Sequence, residues 1–199
     1  MSTEIIEKKE QRFFTGTIGI QKRAGDEESR TIEGYAVVFD RFSSVLGSSY
    51  WAFKEKISRT AFDGVDMSGV IATFNHNFDN VLARVDAGNL KLTIDETGLK
   101  YEFEAPNTTV GNDLLENVRN GNISGSSFMF TTDEERWTYK DDESIPDERE
   151  IVKIRDLYEL GPVTIPAYPD TTAAKRSHEE SKPTTGWHQR RAVITKLSL

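Results

Sequence analysis

The sequence predicts a strand-rich α+β domain. Short runs of β-branched and aromatic residues recur along its first 165 positions, separated by turn-forming clusters. Two of these runs alternate apolar and polar side chains on either side of one tight turn, and one segment places apolar residues at helical spacing.

In chain order, residues 13–20 and 31–39 have strand composition and flank a charged turn, which predicts a paired opening hairpin. Residues 43–50 read as a surface loop. Alternation resumes at 53–57, and Ser58, Thr60, Ala61 and Phe62 then predict the opening of a short helix. Residues 70–74 form an apolar strand that delivers His76 at its end. The clearest hairpin spans 90–104 and turns at Asp95, Glu96, Thr97 and Gly98. Val110, Leu114, Leu115 and Val118 predict a helix over 109–120, with Gly121 placed to end it. A serine cluster, Ser124, Ser126 and Ser127, follows that helix and leads into an aromatic strand with Phe128 and Phe130. Residues 133–150 are dense in acids and bases, and predict a solvated loop or extended hairpin. The strand signal returns over 151–160 with Glu159 near its end, and Pro162, Pro166 and Pro169 are expected to stop it. Beyond Asp170 the composition is that of a flexible arm ending in apolar residues.

The composition bounds the function. A chain of 199 residues with 36% hydrophobic and 29% charged residues and a mean hydropathy of −0.55 has room for one ordinary domain. We expect a charged arm over residues 1–12, the domain over 13–170 and a tail over 171–199. No apolar run reaches eighteen residues, and the first ten residues alternate charge without the apolar stretch of a secretory signal. No membrane partner is expected. With no cysteine, thiolate nucleophiles, disulfides and cysteine zinc sites are excluded. A formal charge of −8 and a pI near 5.0 argue against nucleic acid as a general partner. Phosphate loops, H-E-x-x-H helices and EF-hand loops are absent, so no metal or cofactor is expected.

His178 and His188 lie in the tail, so imidazole chemistry in the folded part must use His76. A serine hydroxyl is a weak nucleophile near neutral pH unless an imidazole within ~2.6–3.2 Å takes its proton. His76 and the serine cluster are therefore the candidate pair, and Glu159 is the candidate carboxylate to orient the imidazole. Amides near Gly125 are candidates for holding an oxyanion. The same residues have a plainer reading: a loop histidine satisfied by Asn75 and Asn77, turn serines bonded to their own backbone, and a solvated strand-end acid. Asp113, Glu116 and the acids at 133–135 are expected to be solvated charges.

Taken in order, the segments resemble the prohead proteases of tailed bacteriophages. The resemblance runs from residue 13 to about 174. It begins with Glu33-Gly34-Tyr35-Ala36 and Phe39, then Phe53, Glu55 and Ile57 followed by Ala61-Phe62. It continues through His76, Leu82-Ala83-Arg84, Asp95 with Gly98-Leu99, and Gly121-x-Ile123-x-Gly125-x-Ser127-Phe128-x-Phe130. Leu157-Tyr158-Glu159 and Pro166-Ala167 complete it. The chain departs from the family pattern at Leu160-Gly161-Pro162, Met129 and Ala83. By this resemblance His76 is the catalytic histidine, Ser127 the nucleophile with Ser126 as runner-up, and Glu159 the third member. It implies a mostly antiparallel β-barrel with surrounding helices, similar to the herpesvirus assemblins, and often dimeric. It also implies a serine endopeptidase that cleaves scaffold and major capsid protein segments, and itself, in the assembling procapsid within the host cytoplasm.

Overall fold

The computed structural model describes residues 9–15, 18–21, 29–47, 51–142 and 144–164. Among them ten strands and one helix follow along the chain: β1 (Glu10–Thr15), β2 (Ile18–Ile20), β3 (Thr31–Val38), β4 (Phe53–Ile57), β5 (Ile71–Phe74), β6 (Asn77–Arg84), β7 (Leu90–Ile94), β8 (Gly98–Glu104), α1 (Thr109–Arg119), β9 (Gly125–Thr138) and β10 (Asp147–Val163). The expectations for Pro166, Ala167, Pro169, the tail and residues 1–8 lie outside the described residues.

The strand-rich α+β expectation holds, and the strands form two sheets. One has the order β1-β9-β10-β5-β6, with β4 also on β10; the other is β2-β3-β8-β7. Most pairings are antiparallel, while β4 and β5 both run parallel to β10. β10 is the spine of the larger sheet. One edge carries β9 over nearly its whole length, and the other takes β4 near Asp147 and β5 at Glu159 and Leu160.

Alternation decides which faces are covered. On β8, Leu99, Tyr101 and Phe103 are buried, whereas Lys100 turns outward to pair with Glu33 at 2.7 Å. The turn before β8 is closed by Asp95, whose Oδ1 accepts from the Thr97 and Gly98 amides at 2.8 and 3.0 Å. The apolar faces of both sheets meet in one core with Ile32, Val37, Leu99, Phe128, Phe130, Ile154 and Leu160. Leu114, Leu115 and Val118 of α1 close one side of it.

The helix starts at Thr108, whose hydroxyl accepts from the Gly111 amide. It ends as its glycine requires. Gly121 takes φ 71°, its amide reaches the Val118 carbonyl at 3.1 Å, and the Asn122 amide reaches Asn117 at 2.9 Å. This double closure needs a residue free to adopt the left-handed conformation.

Four expectations are corrected. The opening hairpin divides: β2 pairs with β3, but β1 joins the other sheet beside β9. The segment opening at Ser58 makes successive four-residue turns with no helix: the Ala61, Asp63 and Val65 amides reach back three residues to Ser58, Thr60 and Phe62, and the Ala61 carbonyl accepts from the Ile154 amide at 2.8 Å. Pro162 lies inside β10, near its end, where only one ladder donor is lost. Residues 133–150 are indeed an extended hairpin, yet their charges are not all solvated. Arg149 is among the most deeply buried side chains of the protein.

It is held by carboxylates from three other strands. Arg149 bonds Glu10 at 2.6 and 2.9 Å, Glu55 at 2.7 Å and, through Nε, Glu135 at 2.7 Å. Arg12 on β1 grips Glu55 with two bonds of 2.5 and 2.8 Å and Glu10 with one of 2.6 Å. Burial would raise the Glu10 carboxyl, but Arg12 and then Arg149 hold it well below the usual carboxylate range.

Candidate active site

His76 is placed by a turn that few residues tolerate. Asn75 and His76 alone connect β5 to β6, with φ of 57° and 56°. A two-residue hairpin of this kind matches the twist of its strands but requires positive φ at both central positions. Asparagine adopts that conformation more easily than most residues; for histidine it costs roughly 1–2 kcal/mol. The Asn75 amide is anchored to the Pro162 carbonyl at 3.0 Å, so the hairpin tip lies along the end of β10. The imidazole reaches inward, with 12% of its side chain exposed.

Ser127 is the third residue of β9, and strand alternation separates it from its neighbour. Ser126, Phe128 and Phe130 face the core. The Ser126 hydroxyl meets the Tyr101 hydroxyl at 2.7 Å, and the two phenylalanine rings stack with centroids 4.7 Å apart. Burial, with a further push from the Glu159 charge, holds Tyr101 well above its ordinary value of 10.0, so it stays a neutral partner. Ser127 points the other way, and its Oγ lies 2.6 Å from His76 Nε2. Ser124 is exposed before the strand begins.

Glu159 lies on β10, opposite Met129 of β9 and beside Ile71 of β5. It is 1% exposed. A carboxylate buried so far needs its lone pairs filled. Oε2 accepts from His76 Nδ1 at 2.6 Å, and Oε1 accepts from the Thr73 hydroxyl at 2.6 Å. With the Nδ1 proton committed to Glu159, Nε2 is left as the acceptor for the Ser127 hydroxyl.

These residues converge because Gly161 lets three strands close up. It pairs with Ser127 on β9, and a Cβ there would stand 2.1 Å from the Thr73 carbonyl oxygen on β5. Any larger residue would drive β5, and the His76 turn that continues it, away from β10.

The structure thus brings His76, Ser127 and Glu159 together across 83 residues of chain. Gly125 does not sit in an open turn: it starts β9 and pairs with Thr15 and Val163 on either side. Asp113 and Glu116 are exposed on α1, as expected, but Glu135 is bound to Arg149. Nothing in the sequence points to Thr73, and Asn75, expected only to satisfy the His76 side chain, bonds Thr164 while the ring is taken by Glu159 and Ser127. Gly161 was noted as a departure, and a lone glycine within a strand pattern is itself a sign of close backbone approach. Among the described residues no group of three histidine, aspartate or glutamate side chains is placed to hold a metal ion.

A hydroxyl, an imidazole and a buried carboxylate in one hydrogen-bonded line is the arrangement used by enzymes that transfer acyl groups through serine. The family model of the caudovirus prohead serine proteases matches residues 17–184, and the chain belongs to that family. Its role is accordingly that of a phage serine protease associated with the procapsid. No curated protein and no solved structure matches the chain.

Proposed function

We propose that Ser127 is the nucleophile, His76 the base and then the acid, and Glu159 the group that fixes the imidazole. One observation carries this reading: both imidazole nitrogens are engaged at 2.6 Å, one by a buried carboxylate and one by a serine hydroxyl. Ser127 Oγ attacks the scissile carbonyl carbon as its proton passes to Nε2. The proton is then given to the leaving amine as the C–N bond breaks, leaving an acyl-enzyme. Water repeats the sequence in reverse roles and frees Ser127. Glu159 stabilises the imidazolium formed in each half and, with Thr73 on its second oxygen, holds the ring in one orientation.

The substrates in this reading are segments of the scaffold and major capsid proteins, and the protease itself, cut inside the assembling procapsid in the host cytoplasm. The reading also admits a homodimer, the assembly the family resemblance allows. Closure of the two sheets into an assemblin-like barrel belongs to the same proposal, supported by the contacts of β3 with β9 and β1.

The test is intact-mass analysis after co-expression with the cognate capsid and scaffold proteins. Wild type should trim them, and Ser127→Ala and His76→Ala should leave every chain at full length. Trimming by the Ser127→Ala variant would refute the assignment.

A further inference from the structure

The base is gripped twice, once from β10 and once from the residue that follows it. Glu159 holds the imidazole, and five residues further on Thr164 holds the turn. The Thr164 amide donates to Asn75 Oδ1 at 2.8 Å. The Thr164 hydroxyl lies 2.9 Å from the same oxygen and 2.8 Å from Asn75 Nδ2, donating to the first and accepting from the second. The Asn75 amide is bonded to Pro162 O in addition. Both polar ends of this side chain and its backbone N–H are thereby committed to Pro162 near the end of β10 and to Thr164 just past its end.

Asn75 is not needed in this way for the turn alone. Positive φ at that position would be met equally well by glycine, the residue such turns favour. What glycine lacks is the amide that reaches Thr164. The bonds are also exposed to water, where each adds little to stability. Their consequence is instead positional: His76 is the next residue, in a strained conformation, and its ring must span from β5 across β10 to a serine on β9.

We propose that Asn75 is a positioning residue, clamping the His76 turn to Thr164 so that Nε2 stays in register with the Ser127 hydroxyl. This rests on the reading of Ser127 and His76 given above. It adds that the chain beyond Glu159, from the end of β10 to Thr164, is part of the machinery that aims the base.

The test uses the full chain and a fluorophosphonate probe, which forms a covalent bond to an activated serine and needs no knowledge of the natural cleavage site. Asn75→Gly should melt close to wild type, because its turn is preserved. Its limiting labelling rate should fall between about 10- and 100-fold, the range expected when a catalytic group is misplaced by about an ångström, with the probe's half-saturating concentration unchanged. Asn75→Asp keeps the acceptor for both Thr164 donors and tolerates the turn, so it should restore most of that rate. In proton NMR the low-field signal of the His76 Nδ1–H shared with Glu159 should broaden in Asn75→Gly and persist in Asn75→Asp. Labelling of Asn75→Gly at the wild-type rate would overturn the clamp while leaving the Ser127 reading intact. Failure of wild type to label at Ser127, or labelling of Ser127→Ala at the wild-type rate, would remove the reading on which the clamp rests.

Discussion

Two buried clusters of charge share the β9–β10 hairpin, and they are built in opposite ways. Around Arg149, two guanidinium groups and three carboxylates bond crosswise, so that Glu10 and Glu55 each serve both arginines. Around His76 the bonds run in a single line, from Thr73 through Glu159 and the imidazole to Ser127. A closed network satisfies each member through several others, and its consequence is that four strands stay in place. An open line ends on a hydroxyl whose proton has one place to go, and in the proposed reading its consequence is reactivity. The same contact, carboxylate facing nitrogen at 2.6 Å, serves packing in one place and, as proposed, proton transfer in the other.

The comparison breaks most severely at Ser127. Replacing it with alanine should lower activity by a factor on the order of 10⁴ or more, as removal of a nucleophile does elsewhere, while the melting temperature hardly moves. Rates and thermal unfolding measured on one preparation would show both. A large stability loss without loss of activity would mean that this cluster, too, is structural.

The mirror experiment is Arg149→Met. Removing one partner of a buried ion network strands the others, at about 3–5 kcal/mol, and here three carboxylates would lose a partner at once. Denaturant unfolding should register that loss, whereas the labelling rate of the molecules that remain folded should match wild type. A variant that unfolds normally yet reacts slowly would tie the network to catalysis and undo the contrast.

Gly161→Ala tests the seam between the clusters, since β10 passes through both. The methyl group would meet the Thr73 carbonyl at 2.1 Å, and forcing β5 aside should cost roughly 1–3 kcal/mol. Because Thr73 and His76 ride on the displaced hairpin, activity should fall too. Unchanged activity beside the stability loss would show that the hairpin tip is held independently of β5.

How far these features were legible depends on where their partners lie in the chain. His76 stood out because the other two histidines are in the tail, and Ser127 because an aromatic strand follows it. Glu159 was legible through family pattern more than through chemistry, for its burial depends on Thr73, 86 residues away. The helix and the 90–104 hairpin carry their own periodicity and turn residues, so local sequence sufficed. The Arg149 network has no local signature: Arg149 and Glu10 are 139 residues apart, each in a charge-rich stretch that reads as solvated. The opening hairpin was misjudged for a related reason, since nothing local distinguishes residues bound for β1 from those bound for β2.

The smallest effects lie in pH dependence, and they separate the Arg149 network from the core-facing side of β9. Glu10 is held below its ordinary value of 4.5, so the folded state binds its proton less readily than the unfolded chain. Its contribution is therefore complete above that ordinary value and is lost progressively as pH falls below it. Tyr101 has the opposite sign. Its folded value is raised above 10.0, so its contribution is present below pH 10 and fades as pH rises past it, when the unfolded chain ionises first. Urea unfolding across the pH range should thus show an acid limb that Glu10→Gln reduces and an alkaline limb that Tyr101→Phe reduces. The phenylalanine variant leaves Ser126 without its 2.7 Å partner but does not touch Ser127, so its labelling rate should stay near that of wild type. Ser126→Ala should likewise only weaken processing. A collapse of activity in either variant would show that the core-facing neighbour sets the position of the nucleophile, and that the two sides of β9 are not independent.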